Sequence, residues 1–225
     1  MARIKYGNGV ADIRGAINGT VFSRNASGAY ARNKTAPTNA NTPSQVTARS
    51  RFQGLTTGWR GLTEEQRQSF NEAAPSFPQT NVLGETVILT GQQLYMKLNG
   101  NLVATGAAPI TSAPAPVVMP GATGVIDSLT SGVMDLTMSQ ELPADFQYVV
   151  EASAPVSAGV TKSNSTRFKA IGAFGVDSGI SLNGEYTSIY GARAVGQKVF
   201  FRVYIVSARG QKVKCAELTG IVAAS

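Results

Sequence analysis

The second half of the chain alternates between apolar and polar positions with the period of two that is typical of β-strands. Residues 121–225 contain six short segments of this kind and a weaker seventh near 178–188, with turn-forming residues between them. In VFFRVYIV (199–206) one face is entirely apolar, while the other carries Arg202 and Tyr204. Short strands at regular spacing predict an immunoglobulin-like β-sandwich. Because this half has no pair of cysteines and no tryptophan, a fibronectin-III-like variant fits better than an antibody-type domain.

Residues 41–74 follow a helical pattern instead. The run TPSQ (42–45) combines an N-cap, a proline at the first helical position and a glutamine that closes a capping box. The run TEEQ (63–66) begins a second helix, with acidic residues where the helix dipole favours them. Apolar residues recur between these starts at spacings of four, three and four, and so lie on one helical stripe: Ala48, Phe52, Leu55 and Trp59. We predict a helical hairpin, whose own core or docking face consists of Phe52, Leu55, Trp59 and Phe70.

The middle of the chain holds one more helix and a linker. In residues 81–106 a short strand precedes a segment with Leu94 and Leu98 at helical spacing and Gly106 placed as a C-cap. Residues 107–120 carry four of the ten prolines and predict a semi-extended linker. The chain is thus predicted to be mainly β with a small helical region. Its predicted parts are an extended basic arm (1–40), a helical region (41–106), a Pro/Ala-rich linker (107–120) and a β-sandwich (121–225).

The N-terminal 40 residues predict extended chain with tight turns. Asn8-Gly9 and Asn18-Gly19 are dipeptides that accept positive φ and close hairpins. Residues 19–34 predict two short strands around the four-residue turn NASG. Apolar residues are too few here for an independent core, and an isolated hairpin is marginally stable in water. We therefore expect this arm to be held by the body of the protein or by a partner.

The excess positive charge of the chain lies in its first quarter. The chain carries 20 Lys and Arg against 13 Asp and Glu, a net charge of +7. Residues 1–60 hold nine of the basic residues and one acid, Asp12, whereas residues 61–225 are close to neutral. A basic arm therefore precedes a neutral body. Such an arm suits acidic protein neighbours or, without sequence preference, the phosphates of a nucleic acid.

The sequence offers little for catalysis. It has no histidine, which is the commonest general base and metal ligand, and Cys215 is its only cysteine. The stretch GARAVGQK (191–198) departs from a phosphate-binding loop because its lysine is displaced and a strand follows it. Ser178, within GVDSG, has no histidine to activate it. We expect no catalytic residue, no cofactor and no metal site.

Two further classes of function are disfavoured, sequence-specific DNA binding and membrane insertion. The second helix of the hairpin would be the DNA reader of a helix-turn-helix, yet residues 63–74 carry three acids and one arginine. Carboxylates would be repelled by the phosphates. The N-terminus lacks the apolar region of a signal peptide, and no stretch approaches the length of a membrane span. We therefore expect neither a signal peptide nor a membrane span.

The order of these elements resembles virion structural proteins of tailed bacteriophages and prophages. The shared features are a Gly-, Asn- and Arg-rich start, a Thr-Pro and Gln that lead into an Arg-bearing helix, a Trp before Leu-Thr, and a second helix. The segment LTGQQLYMKLNGNLVATG (89–106) completes them. The resemblance covers roughly residues 15–110 by motif and residues 121–225 by architecture only. It implies a non-enzymatic structural role.

The resemblance and the basic arm together suggest an auxiliary or decoration protein of the capsid, assembled in the host cytoplasm and located in the virion. The expected partners are the major capsid protein or other virion subunits, and self-association is also open. The residues expected to bind these partners are Arg14, Arg24, Arg32, Lys34, Arg49 and Arg51. The alternatives are a tail, neck or baseplate component, a nucleic-acid-binding protein that uses the arm, and carbohydrate binding by the sandwich through Tyr186 and Tyr190.

Overall fold

The structure, a computed structural model, describes residues 2–25, 28–36, 39–80, 84–164 and 167–224. Within those ranges the chain is mainly β, with four sheets and four α-helices. It divides into two compact units, Met1–Val46 and Thr47–Ser225, and each is described by itself.

The first unit is a small antiparallel sheet. Asn18 has a φ of 50° and forms the two-residue turn between the second and third strands, as its Asn-Gly dipeptide predicts. No residue among 4–25 and 28–36 is fully buried, which agrees with the low apolar content. The strands are β1 (Ala2–Arg3), β2 (Gly15–Ile17), β3 (Thr20–Asn25) and β4 (Gly28–Asn33), paired in the order β1-β4-β3-β2.

The extended arm predicted for this part of the chain is not confirmed in that form. The two strands predicted within residues 19–34 are paired as β3 and β4. Residues 26 and 27 of the predicted NASG turn lie outside the described residues. The pairing of β1 with β4 was not predicted, because a two-residue strand has no recognisable period.

Three helices open the second unit, the first of which begins just before the boundary between the units. Thr63 with Gln66 and Thr90 with Gln93 form capping boxes that start the second and third helices. The elements are α1 (Pro43–Gly61), α2 (Glu64–Ala73), a 3₁₀ turn (Ala74–Ser76), β5 (Gln79–Thr80), β6 (Thr86–Val87) and α3 (Gly91–Ala104).

The helical hairpin predicted for residues 41–74 is not confirmed, because the main packing partner of α2 is α3. Phe70 of α2 is fully buried, and its ring meets the ring of Tyr95 of α3 edge-on at 5.3 Å. Helix α1 reaches this core through Leu55 and Trp59 of its C-terminal half. The sequence pattern placed an apolar stripe on α1 correctly, but it did not show which helix would cover α2.

Seven strands and one further helix form the rest of the second unit. They are β7 (Gly124–Leu129), β8 (Met134–Met138), β9 (Phe146–Ser153), β10 (Phe168–Phe174), β11 (Gly179–Ser181), α4 (Asn183–Tyr190), β12 (Lys198–Ser207) and β13 (Lys212–Ile221). The strands form one sheet in the order β11-β8-β7 and another in the order β10-β9-β12-β13, and every pairing is antiparallel.

The two sheets enclose one hydrophobic core, so this part of the chain is an immunoglobulin- or fibronectin-III-like β-sandwich. The face of β12 predicted to be apolar contributes Phe201 and Val203 to that core, each no more than 1% exposed. Leu136 of β8 and Tyr148 of β9 are both 0% exposed and belong to the same cluster. The alternation with period two therefore predicted the inward face of β12 correctly.

The weak strand predicted near 178–188 is shorter than expected. Strand β11 ends at Ser181, and α4 begins two residues later. Leu182 and Tyr186 lie four residues apart, are both 0% exposed, and are joined by a hydrogen bond from the Tyr186 amide to the Leu182 carbonyl, 2.9 Å long. A backbone hydrogen bond over four residues closes a helical turn, so the segment after Ser181 is helical and not extended.

Residues 107–120 have no regular secondary structure, yet they are hydrogen-bonded to the elements on either side. The side chain of Asn99 in α3 exchanges two hydrogen bonds with the backbone of Ile110, 3.1 and 2.6 Å long. The amide of Val117 donates to Gln211, which follows the β12–β13 turn, at 2.7 Å. The helices and the sandwich belong to the same compact unit.

Candidate interaction surface

The N-terminal part of helix α1 is exposed along its whole circumference. Residues 43–54 are all exposed, and the first buried residue of the helix is Leu55, at 7%. The side chains of Thr42 and Gln45 exchange hydrogen bonds with each other's backbone amides, both 3.3 Å long, which confirms the predicted capping box. The first turn of α1 is therefore fixed by local hydrogen bonds.

The predicted apolar stripe of α1 is divided between a packed half and an exposed half. Trp59 lies 5.4 Å from the ring of Tyr95 and 6.0 Å from the ring of Phe70, measured between centroids. About two and three turns before Trp59 on the same stripe, Phe52 is 65% exposed and Ala48 is also exposed. The four residues were predicted to form a core or a docking face, and among the described residues Phe52 lies outside the core that Leu55, Trp59 and Phe70 share. The stripe continues beyond the core that contains its second half.

Helix α1 carries only positive charge. Its 19 residues include Arg49, Arg51 and Arg60 and no Asp or Glu. The N-terminal end of a helix bears partial positive charge from its unpaired amide groups, and acids in the first turn usually offset that charge. No acid stands in the first turn of α1. The exposed part of α1 thus combines an apolar stripe with an electrostatic preference for negative charge.

The four predicted partner-binding residues of the first unit are also exposed: Arg14, Arg24, Arg32 and Lys34. Arg14 pairs with Asp12, the only acid of residues 1–60, at 2.9 Å. Such exposed ion pairs contribute little to stability. Arg24 and Lys5 line an open cavity of about 460 Å³. These residues and those of α1 belong to different units, so they are not assigned to one continuous surface.

A second polar surface lies on the outer face of the four-stranded sheet. The guanidinium carbon of Arg202 is 3.9 Å from the ring centroid of Phe168, and Lys212 Nζ is 3.8 Å from that of Tyr204. Arg202 also pairs with Glu217 at 2.9 Å. A hydrogen bond from Lys214 is the main cause that lowers the pKa of Glu217, and Arg202 adds to it. The sequence showed that Arg202 and Tyr204 face outward, but not which residues they would meet.

The tyrosines considered for sugar binding are not available as a platform. Tyr186 is 0% exposed and donates to the Ser153 carbonyl at 3.0 Å. Tyr190 donates to the Ala152 carbonyl at 2.8 Å, and its ring lies 5.1 Å from that of Tyr186. Burial is the main cause that raises the pKa of both hydroxyl groups. Both side chains are part of the structural framework of the sandwich.

Arg193 is buried and has no carboxylate partner in the part of the chain that the structure describes. Its Nε donates to the Thr130 carbonyl at 2.6 Å, and its Nη2 donates to the Val133 carbonyl at 2.7 Å. Nη1 has no hydrogen-bond partner among the described residues. The side chain fastens the β7–β8 turn to the segment after α4. The sequence pattern did not predict the burial of Arg193, because a buried arginine cannot be told from an exposed one in sequence.

The described residues bring together no candidate catalytic group. Cys215 is half-buried, burial raises the pKa of its thiol, and its Sγ lies 3.2 Å from the Val203 carbonyl oxygen. Ser178 lies in the turn before β11, and its carbonyl accepts a hydrogen bond from Met138. No group of three or more Cys, Asp or Glu side chains suited to a metal ion occurs in the described ranges. No helix there is both long and apolar enough to span a membrane.

Comparisons with known proteins give partial structural similarities. No protein-family model matches the sequence, and no curated protein is similar to it. The fibronectin type-III domain of human fibronectin type III domain containing protein 3 is 14% identical, with 51% of this chain and 93% of that chain covered and a TM-score of 0.34. An Fn3-like protein from Clostridium thermocellum is 19% identical, with 51% of this chain and 96% of that chain covered and a TM-score of 0.27.

A third similar structure is pectate lyase PelI from Erwinia chrysanthemi in complex with tetragalacturonic acid. It is 17% identical, and the TM-score is 0.32. The match covers 44% of this chain and spans only 28% of the lyase. These partial similarities assign no activity to this chain.

Proposed function

We propose that this chain is a non-enzymatic structural protein of a tailed-bacteriophage virion, an auxiliary or decoration protein of the capsid. The observation that carries the proposal is the exposed N-terminal part of α1. There, a stripe that is packed at Leu55 and Trp59 continues onto the surface at Phe52. Aromatic residues and arginine are enriched at protein interfaces, so Phe52 beside Arg49 and Arg51 supports a surface that is covered in an assembly.

The charges of α1 indicate the chemistry of the partner. Two copies of this helix packed side by side would bring Arg49 and Arg51 of each copy close to those of the other, and like charges oppose that contact. An apolar groove with acidic residues at its rim would accept Phe52 and offset the arginines. We therefore propose a neighbouring virion subunit with such a groove, of which the major capsid protein is the first candidate.

The basic residues of the first unit provide a second set of contacts in this proposal. Arg24, Arg32 and Lys34 are exposed on or beside a small sheet with no fully buried residue among 4–25 and 28–36. Such a sheet gains stability when an acidic neighbour covers it, since its own core contributes little. The first unit would thus anchor the chain, while the sandwich projects from the surface.

Purified particles from the producing host test the assignment. Mass spectrometry and cryo-EM should detect the chain in mature virions at a copy number that follows the symmetry of the head. A small multiple of three or six copies would instead assign it to the tail, neck or baseplate. Absence from mature particles would overturn the proposal, and binding of the free protein to DNA near physiological salt would favour the nucleic-acid alternative.

Variants of α1 test the docking surface in the same particles. We expect Phe52→Asp, and separately the pair Arg49→Glu and Arg51→Glu, to lower incorporation at least about tenfold, since a buried aromatic anchor or its charge partners are lost. Ser50→Asp is the matched control, because position 50 lies on the opposite side of the helix from Phe52. Deletion of residues 1–40 should also release the protein while leaving the sandwich folded. Equal loss in Phe52→Asp and Ser50→Asp would contradict the role of the stripe.

A further inference from the structure

The outer face of the four-stranded sheet contains a groove that the proposed structural role does not use. Its volume is about 340 Å³, at the lower end of the range of about 300–1,000 Å³ typical of small-molecule sites. Strands β12 and β13 form its floor, and residues 161–163 form one wall. The lining residues used below are Ser163, Phe168, Phe200, Arg202, Glu217 and Thr219.

The wall of the groove is held in place by hydrogen bonds. Val156 and Lys198 exchange backbone hydrogen bonds of 2.9 and 2.8 Å, and Lys198 Nζ donates to the Val160 carbonyl at 3.0 Å. These bonds fasten residues 156–160, which precede the wall in sequence, to the first residue of β12. Phe200, whose side chain lies on the face away from the core, is only 7% exposed. The groove is therefore formed by fastened elements with an apolar ring at its base.

Donors and acceptors stand side by side within this groove. Arg202 uses its Nε to bind Glu217, which leaves other guanidinium N–H groups to donate. Both ion pairs of Glu217, with Arg202 at 2.9 Å and Lys214 at 3.0 Å, end on Oε1. The buried hydroxyl of Ser163 has no hydrogen-bond partner within the described part of the chain.

We propose that this groove binds a saccharide, through two adjacent hydroxyl groups of a pyranose ring. Each sugar hydroxyl both donates and accepts, so neighbouring hydroxyls can accept from Arg202 and donate to Glu217 at the same time. One face of the Phe168 ring is covered by the Arg202 guanidinium and Phe200 is 7% exposed, so recognition rests on the polar groups and not on an aromatic platform. The volume suits one or two sugar rings at the surface of a longer glycan.

The charges of the groove argue against simple ions as ligands. A carboxylate or phosphate drawn to Arg202 would approach the ionised Glu217, and an ammonium drawn to Glu217 would approach Arg202. An uncharged polyhydroxyl ligand meets neither repulsion. The inference does not depend on the virion assignment, because it concerns the sandwich alone and is measured on the isolated protein.

The test is a titration of the ¹⁵N-labelled full chain, followed by amide chemical shifts. The probes are the methyl glycosides of glucose, galactose, mannose and N-acetylglucosamine, with sodium acetate and ammonium chloride as ionic controls. We expect saturable shifts at Arg202, Glu217 and Thr219 with at least one glycoside, in the millimolar range of a single sugar. Glu217→Gln should weaken that binding at least about tenfold, because it replaces a charged acceptor.

Glu151→Gln is the matched control. Glu151 undergoes the same chemical change on the same sheet face, where it pairs with Lys212 at 3.0 Å outside the groove lining. It should keep the affinity of the unmodified chain. The absence of saturable shifts with every glycoside would overturn the proposal. So would equal shifts with acetate or ammonium, or an unchanged affinity in a Glu217→Gln variant whose other amide shifts show that it is folded.

Discussion

Gly210 is a position where backbone conformation and close packing both require glycine. Its φ is +80°, and a Cβ atom there would lie 2.4 Å from the carbonyl oxygen of Leu98 in α3. Its own carbonyl accepts a hydrogen bond of 2.8 Å from the side chain of Asn101. A glycine between two strands is typical of a tight turn, but nothing local in residues 208–212 indicates that this turn sits against a helix more than a hundred residues earlier.

Substitution of Gly210 by alanine should therefore destabilise the second unit strongly. We expect Gly210→Ala to lower the free energy of unfolding by about 2–4 kcal/mol, because backbone strain adds to a clash with backbone atoms that cannot move away. Urea unfolding followed by fluorescence of Trp59 measures this change.

The matched control for this substitution is Gly196→Ala. Gly196 has a similar φ of +84°, but a Cβ atom there would meet no heavy atom within 4 Å. We expect a loss of about 1 kcal/mol from strain alone. Equal losses in the two variants would show that the contact with Leu98 does not constrain the turn.

At the scale of a single element, helix α1 shows what the periodicity of apolar residues can predict and what it cannot. The spacing of Ala48, Phe52, Leu55 and Trp59 predicted a continuous stripe, and the helix has it. Periodicity states which residues share a face, but it does not state how much of that face a neighbour covers. The neighbour is α3, whose capping box at Thr90 and Gln93 follows the same rule as the one predicted for α1 but was not predicted. The sequence thus predicted which residues share the candidate docking surface, but it did not predict that part of this surface is exposed.

Two substitutions on α1 should separate its packed half from its exposed half. Leu55→Ala removes a side chain that is 7% exposed, and we expect a loss of about 2–4 kcal/mol in the free energy of unfolding. Phe52→Ala removes a larger side chain that is 65% exposed, and its effect should stay within about 0.5 kcal/mol. Thermal and urea unfolding of the free protein give both values. A large loss in Phe52→Ala would mean that Phe52 packs within the free chain.

At the scale of the whole molecule, the absence of histidine shapes the response to pH. No side chain with an ordinary pKa between about 5 and 8 is present, so we expect a stability profile that is nearly flat near neutrality. At alkaline pH we expect stability to depend on pH, because burial raises the pKa of Tyr148 and Tyr186. A raised pKa in the folded state means that stability is fully present below the unfolded pKa of about 10 and falls as pH rises above it.

Tyr186→Phe tests this response. At pH 7 the variant should lose about 1 kcal/mol, because the hydrogen bond to the Ser153 carbonyl is absent. Above about pH 10 its stability should fall less steeply than that of the unmodified chain, since one buried hydroxyl no longer resists ionisation. Urea midpoints measured from pH 7 to the alkaline limit of folding give both slopes. Parallel slopes would contradict the assigned cause.

The sandwich was the part of the molecule most open to prediction. Each of its longer strands carries its own alternation, as the inward face of β12 shows at Phe201 and Val203. The attachment of the helices to it was not predictable, because it rests on side chains such as Asn101 and Gln211 that are ordinary polar residues in sequence. Such contacts join distant parts of the chain and have no period.

The turn that rests on α3 determines how the sandwich is carried. The Arg209 side chain donates to the Ala115 carbonyl at 3.2 Å, and Gln211 accepts from Val117 at 2.7 Å, so the connecting segment is fastened on both sides of Gly210. These contacts hold the sandwich in one orientation relative to the helices, so it does not move as a freely tethered domain would. In an assembly that binds the helices, the sandwich of every copy of the chain should therefore have the same orientation. Averaged images of such an assembly would then show the sandwich as sharp density and not as a diffuse halo.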